Sequence, residues 1–165
     1  MLTIAGSATA KLRGVLAADN GLPAVVAALS SQQGVELPGI CAQQIITQNV
    51  APEIAEHSFA SKYPLIYIYC SKIVNSLTEK FRTFSGDAQM VVELRVSQDR
   101  LDSLESNLQA YVDAVTQVLQ GNRGDWGDGV CFSGGYEVAF SPVKHGGRNL
   151  LQSAKVTVVL EISSD

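Results

Sequence analysis

The chain is short of charge. Asp, Glu, Lys and Arg make up 17% of its 165 residues, against about 25% in an average soluble domain. Ala, Val, Gly, Ser and Gln fill part of the gap. A surface so neutral has the character of buried oligomer faces, from which charged residues are depleted. The net charge is -4 and no Lys/Arg cluster occurs anywhere, which argues against a protein that coats nucleic acid by neutralising phosphates. Cysteine is scarce as well. Cys41, Cys70 and Cys131 are odd in number and far apart, with none of the paired spacings of a zinc site or redox motif. Reduced thiols are expected, with Cys70 a small hydrophobe in an apolar strand pattern. Long apolar runs are missing too: near the N-terminus the longest, Leu22 to Leu29, is far too short to span a bilayer. No signal-peptide pattern is present, so the expectation is synthesis in the cytoplasm and no membrane partner.

Catalytic constellations are also absent. No serine stands in a nucleophile-elbow motif, and no Asp/Glu pair is spaced for hydrolysis. His57 and His145 lie in polar, turn-like sequence without the partners that acid–base or ligand chemistry needs. The glycine-rich stretch from Gly121 to Gly135 follows a helical pattern rather than opening one, and it lacks the GxxxxGK[ST] order that cradles a nucleotide. Asp125 and Asp128 flank Trp126 without the ligand spacing and terminal Glu of a calcium hand. The expectation is therefore a non-enzyme with no catalytic residue, metal or cofactor, whose function lies in surfaces and assembly.

What is present is pattern. With 46% hydrophobic residues the chain can bury one sizeable core, divided into an N-terminal helical and irregular segment, 1–62, and a core, 63–165. Ala8 to Ala18 reads as a short helix ended by Asp19-Asn20-Gly21. Pro23 suits the first turn of a second helix running to Gln33, where Gly34 stops it. Ile40 to Val50 reads as a weak strand, and Ala51 to Ser61 is unassigned. Pro64 to Cys70 then alternates with apolar residues on both faces, Ile66, Ile68 and Cys70 on one and Leu65, Tyr67 and Tyr69 on the other, as in a central or interfacial strand. Gln89 to Ser97 alternates with one wet face, that of Gln89, Glu93, Arg95 and Ser97.

Between those strands, Thr78 to Ala88 reads as a long hairpin tip with a Gly86-Asp87 turn, carrying Lys80, Phe81, Arg82 and Phe84. Its aromatic and basic residues suit base stacking, but a tip reaching into a neighbouring subunit accounts for them without nucleic acid and is the favoured reading. A long helix follows, with Asp99 as N-cap and Gly121 at its end. Leu101, Leu104, Leu108, Tyr111, Val112, Val115, Val118 and Leu119 form its stripe. Tyr136 to Ser141 and Val156 to Ile162 are the last strands, joined through a turn at Gly146-Gly147. This order predicts an α+β fold: a mostly antiparallel sheet of four to five strands packed by one long helix, with N-terminal helices.

Three stretches, Tyr63-Pro64-Leu65-Ile66-Tyr67-Ile68, Leu108 to Val115, and Gly135-Tyr136-Glu137-Val138 through Lys155-Val156-Thr157-Val158, together resemble a tailed-phage tail terminator, also called a tail completion or neck protein. The resemblance covers about residues 63–162. It implies a structural virion protein at the neck that forms a ring, usually of six subunits. Such a ring caps the tail tube protein, presents a face to the head-closure or connector protein, and lets DNA pass through its lumen without specific binding. On that reading the candidate assembly residues are Phe81, Arg82 and Phe84 at the hairpin tip, Trp126 in a loop on the other face, and Arg148. The first sixty residues exceed the single leading helix of that family. Two alternatives are another neck component on the portal side, and a small nucleic-acid or ligand binding module built on the same sheet.

Overall fold

The structure, a computed structural model, describes residues 3–52, 54 and 62–165. Most of the stretch Ala51 to Ser61, including His57, lies outside the described residues. Helix α1 (Ile4–Ala17) starts where Thr3 Oγ1 accepts the Gly6 N–H at 3.1 Å, satisfying one of the free donors of the first turn. Helix α2 (Leu22–Gln33) has its proline in the first turn and stops at Gly34, whose φ of +64° is left-handed, as glycine readily allows.

The expected weak strand shrinks to β1 (Ile45–Ile46), preceded by a short 3-10 turn at Ala42–Gln44. Side chains hold this segment in place. The buried Gln44 amide donates to the Lys62 and Pro64 carbonyls at 3.1 and 2.8 Å, and its oxygen accepts the Cys41 N–H at 2.9 Å. Arg13 of α1 donates to the Ile45 and Ala42 carbonyls, each at 3.3 Å.

The remaining elements are β2 (Leu65–Asn75), β3 (Phe84–Gln98), α3 (Leu104–Gly121), β4 (Gly124–Asp125), β5 (Val130–Phe140), β6 (Lys144–Gly146) and β7 (Asn149–Ser164). They build an α+β fold on one sheet in the order β1-β2-β3-β7-β5-β4, with β6 pairing β7 beyond the end of β5. The sheet departs from expectation in three ways. It has seven strands where four to five were expected, with β1, β4 and β6 only two or three residues long. It is mixed, because β1 runs parallel to β2 while the other pairings are antiparallel. Its helical cover is also shared. Ala8, Leu12 and Leu16 of α1, and Leu22, Val26 and Leu29 of α2, enter the same buried cluster as Leu108, Val115 and Leu119 of α3. The reason is area: α3 packs on β3 and β7, α1 packs on β2 and β3, and α2 bridges to α3.

Helix α3 begins later than its pattern suggests. Strand β3 continues to Gln98, whose side-chain amide donates to the Arg100 and Asp102 carbonyls and folds that stretch into a turn. Ser103, not Asp99, takes the cap position, with φ +64° and no capping side chain. Leu101 therefore lies outside the helix and is 65% exposed. The rest of the stripe is buried, and Tyr111 donates its hydroxyl to the Pro38 carbonyl at 2.7 Å.

Burial pushes the Tyr111 phenol up to about 12. A raised folded value means that the native state holds its proton while the unfolded chain releases it near pH 10. The resulting stability is complete below pH 10 and fades as pH rises from there to 12. Tyr111→Phe removes the hydrogen bond at a cost of about 1 kcal/mol at neutral pH. It also flattens the alkaline loss, as denaturant unfolding at pH 7 and pH 11 will register.

Candidate assembly surfaces

The cross-strand register decides where each candidate residue lies. Phe84 pairs with Ser164, and Val130 with Ile162, so the β2–β3 tip, the C-terminus and the Trp126 loop share one end of the sheet. The expectation that tip and Trp126 loop face opposite ways is thus corrected. Arg148 sits in the exposed β6–β7 turn at the opposite end, near the turn carrying Leu101.

Within the tip, Phe81 is wholly exposed, on a backbone with φ +70°. Arg82 is tied down: its Nε reaches Glu79 Oε2 at 3.3 Å, and its Nη1 makes a close ion pair with Asp165. These carboxylates raise the Arg82 guanidinium above its ordinary value. Phe84 is 8% exposed and belongs to the core, so it is not a contact residue. Strand β3 starts five residues earlier than its alternation suggested, and takes Phe84 inside.

Trp126 is an internal anchor. Its ring lies 5.5 Å from that of Phe132, and its indole N–H donates to the Asn122 carbonyl at 2.7 Å. Its own carbonyl accepts Lys11 Nζ at 2.9 Å. The same lysine meets Asp128 Oδ2 at 2.7 Å, which lowers the Asp128 carboxyl below its usual range. Asp125 Oδ1 accepts the Gly127 N–H at 2.8 Å, closing the turn. Lys11 thus locks this loop to α1.

An open groove of about 640 Å³ runs beneath the tip on the face away from the helices, and Glu79, Asp87, Asp125 and Glu161 line it. The end that bears Phe81 is accordingly acidic. The helix-free face continues over Gln89, Lys155, Thr157 and Glu137 and is open to solvent on β7 and β5. Toward β2 it is covered: Leu65 and Tyr67 are buried with Ile46 and Val50 against them. There the wet face expected for β3 is dry, for Glu93 and Arg95 are 6% and 2% exposed.

Two surfaces escaped the sequence reading. One side of β2 has no strand partner from Ser71 to Asn75 among the described residues, and one side of β5 has none from Tyr136 to Phe140. Ile73 and Val74 on the first edge and Tyr136 and Phe140 on the second are among the exposed large hydrophobic residues. Both strands overrun their alternating cores, and only the strand pairing of the folded sheet shows which strands end as edges. Neither a family model nor a curated protein sequence matches the chain.

Proposed function

We propose that this chain is a structural subunit of a tailed-phage neck, a tail terminator whose ring caps the tail tube and receives the head connector. The observation that carries the reading is a sheet with α1, α2 and α3 packed together on one face and with unlike surfaces at its two ends. In a ring with the helices outward, the helix-free face lines the lumen. Its open part bears Asp87, Asp125, Glu137 and Glu161 against Lys72 and Lys155, a net negative lining that repels rather than grips the phosphates of passing DNA. The acidic end with Phe81 and the end with Arg148 and Leu101 supply two different docking faces, as a cap between unlike partners requires. Mechanism is then geometric: the ring matches the last tube ring on one face and offers no further tube protein a match on the other. The long helix α3, with α1 and α2, stiffens the outer wall.

The test is genetic. In the phage that encodes this chain, disrupting its gene is expected to leave heads full and tails overlong and unjoined, as seen by electron microscopy. Tails of normal length, joined to heads, would sink the reading. Within the protein, Phe81→Ser should shift stability by less than about 0.5 kcal/mol, as surface changes do, yet fail to complement the disruption. Full complementation by that variant would remove the tip from the docking face.

A further inference from the structure

We propose that the free edge of β2, Ser71–Asn75, pairs antiparallel with the free edge of β5, Tyr136–Phe140, of a second copy, so that neighbouring subunits share one continuous sheet. The inference rests on the ring reading above and assigns its joint.

The edges differ in character. β2 lacks a strand partner on this side from Ile68 onward and is exposed from Ser71 to Asn75, and β5 lacks one from Tyr136 to Phe140, among the described residues. Lys72 stands on the first and Glu137 on the second, both exposed and neither in an ion pair among the described residues. Exposed edges invite pairing, and proteins that do not use them usually blunt them with proline, short strands, bulges or several charges; each strand here has one irregularity, between Cys70 and Lys72 and between Phe132 and Tyr136, at the start of its edge. Here each edge carries a single charge, of opposite sign, beside exposed Ile73, Val74, Tyr136 and Phe140.

Direction and face follow from the register. In the sheet β2 is antiparallel to β3, β3 to β7 and β7 to β5, so β2 and β5 run oppositely. A copy rotated about an axis along the sheet therefore meets its neighbour in antiparallel fashion. Ile73 shares the helix-bearing face through Ala88, and Val138 shares it through Val156. Setting Ile73 opposite Val138 aligns the two edges from Lys72 to Asn75, with Ser71 in the register irregularity that follows Cys70. It places Val74 opposite Glu137, and Lys72 diagonal to Glu137 on the helix-free face, within reach of a cross-strand ion pair.

The offset also fits a closed ring. Ile73 is level with Ala88, while Val138, through Val156, is level with Val92. The joint thus climbs four residues of β3, roughly 14 Å, across four strands spanning roughly 19 Å. That is a strand tilt of about 35°, within the range at which sheets close into barrels. The same register sets β6 of one copy at the level of β1 of the next. Strand β1 is held by Gln44 and Arg13, so the exposed three-residue β6 is the piece that must shift.

The test uses the full chain. Light scattering over a wide concentration range is expected to show the wild type assembling beyond a dimer. Lys72→Glu or Glu137→Lys should each weaken the association roughly three- to tenfold, and the double exchange should restore it, with thermal unfolding checking that every variant folds. In a chain whose native cysteines are serine, Ile73→Cys with Val138→Cys should give a ladder of disulfide-linked copies on oxidation. Oligomers unaffected by the exchanges and without a ladder would overturn the edge joint while leaving a ring through other surfaces. Dimers linked by Ile73→Cys alone would replace it with a two-fold β2–β2 contact. A monomer at every concentration would overturn the joint, whereas the gene disruption judges the neck role separately.

Discussion

Arg95→Met is expected to lower stability by about 3–5 kcal/mol, because it strands a buried carboxylate. The Glu93 and Arg95 side chains are 8% and 2% exposed, and their ion pair at 3.1 Å is the one buried pair among the described residues. Its geometry is lopsided. A single nitrogen, Nη2, serves both Glu93 and the Val50 carbonyl, while Nε and Nη1 have no acceptor among the described residues. The guanidinium plane compensates in part by lying 4.2 Å from the centre of the Tyr67 ring, a cation–π contact that strengthens when water is excluded. Removing Arg95 leaves Glu93 without its counter-charge in a place water does not reach. Removing both charges is different, since the pair and its unpaired N–H groups are all lost together. Glu93→Leu with Arg95→Met should therefore fall within about 1 kcal/mol of the wild type, on either side. Urea unfolding of the two single variants and the double closes the cycle. A double variant as unstable as Arg95→Met would mean that the pair, and not the avoidance of a lone charge, holds this face.

That pair marks where sequence reasoning stopped. Period-two alternation located the four long strands, and period 3.6 located α3, because each buries one regular stripe. The same alternation assigned Glu93 and Arg95 to solvent, since a polar residue on the second face of a strand is ordinarily wet. What dries them is register: Tyr67 lies opposite Glu93 and Leu65 opposite Arg95, with Ile46 and Val50 packed on that cluster. The two apolar faces of β2 signalled a covered sheet, but a local pattern does not say which neighbour is covered with it. Gly86 misled differently. Read as a turn residue, it pairs within β3, where a Cβ would stand 1.9 Å from the Val74 carbonyl oxygen. Its absence of a side chain permits close strand approach rather than a bend. Among the candidate contacts, Phe81 and Arg148 lie at the surface, Phe84 and Trp126 pack inward, and the open edges have no local signature at all.

Leu12→Ala is expected to cost about 2–5 kcal/mol, the range for truncating a fully buried leucine. The argument turns on whether the first sixty residues are an appendage or part of the core. Ala8, Leu12 and Leu16 recur every four residues along one side of α1 and each is 0% exposed. That side lies on β2 and β3, beside the area that α3 covers. A methyl at position 12 leaves a cavity that a helix pinned on either side of that position closes poorly. Arg13 ties it to β1 and Lys11 to the Trp126 loop. For a chain of this size the loss corresponds to a fall in Tm of roughly 5–15 °C. Leu101→Ala supplies the contrast. The sequence pattern puts Leu101 in the same kind of stripe, yet it is exposed, so its truncation should change stability by no more than about 0.5 kcal/mol. Calorimetry distinguishes the cases directly. One cooperative transition that moves down in Leu12→Ala and stays put in Leu101→Ala makes α1 integral to the fold. Two separate transitions, or a Leu12→Ala loss below about 1 kcal/mol, would make the N-terminal helices a separate layer that the sheet folds without.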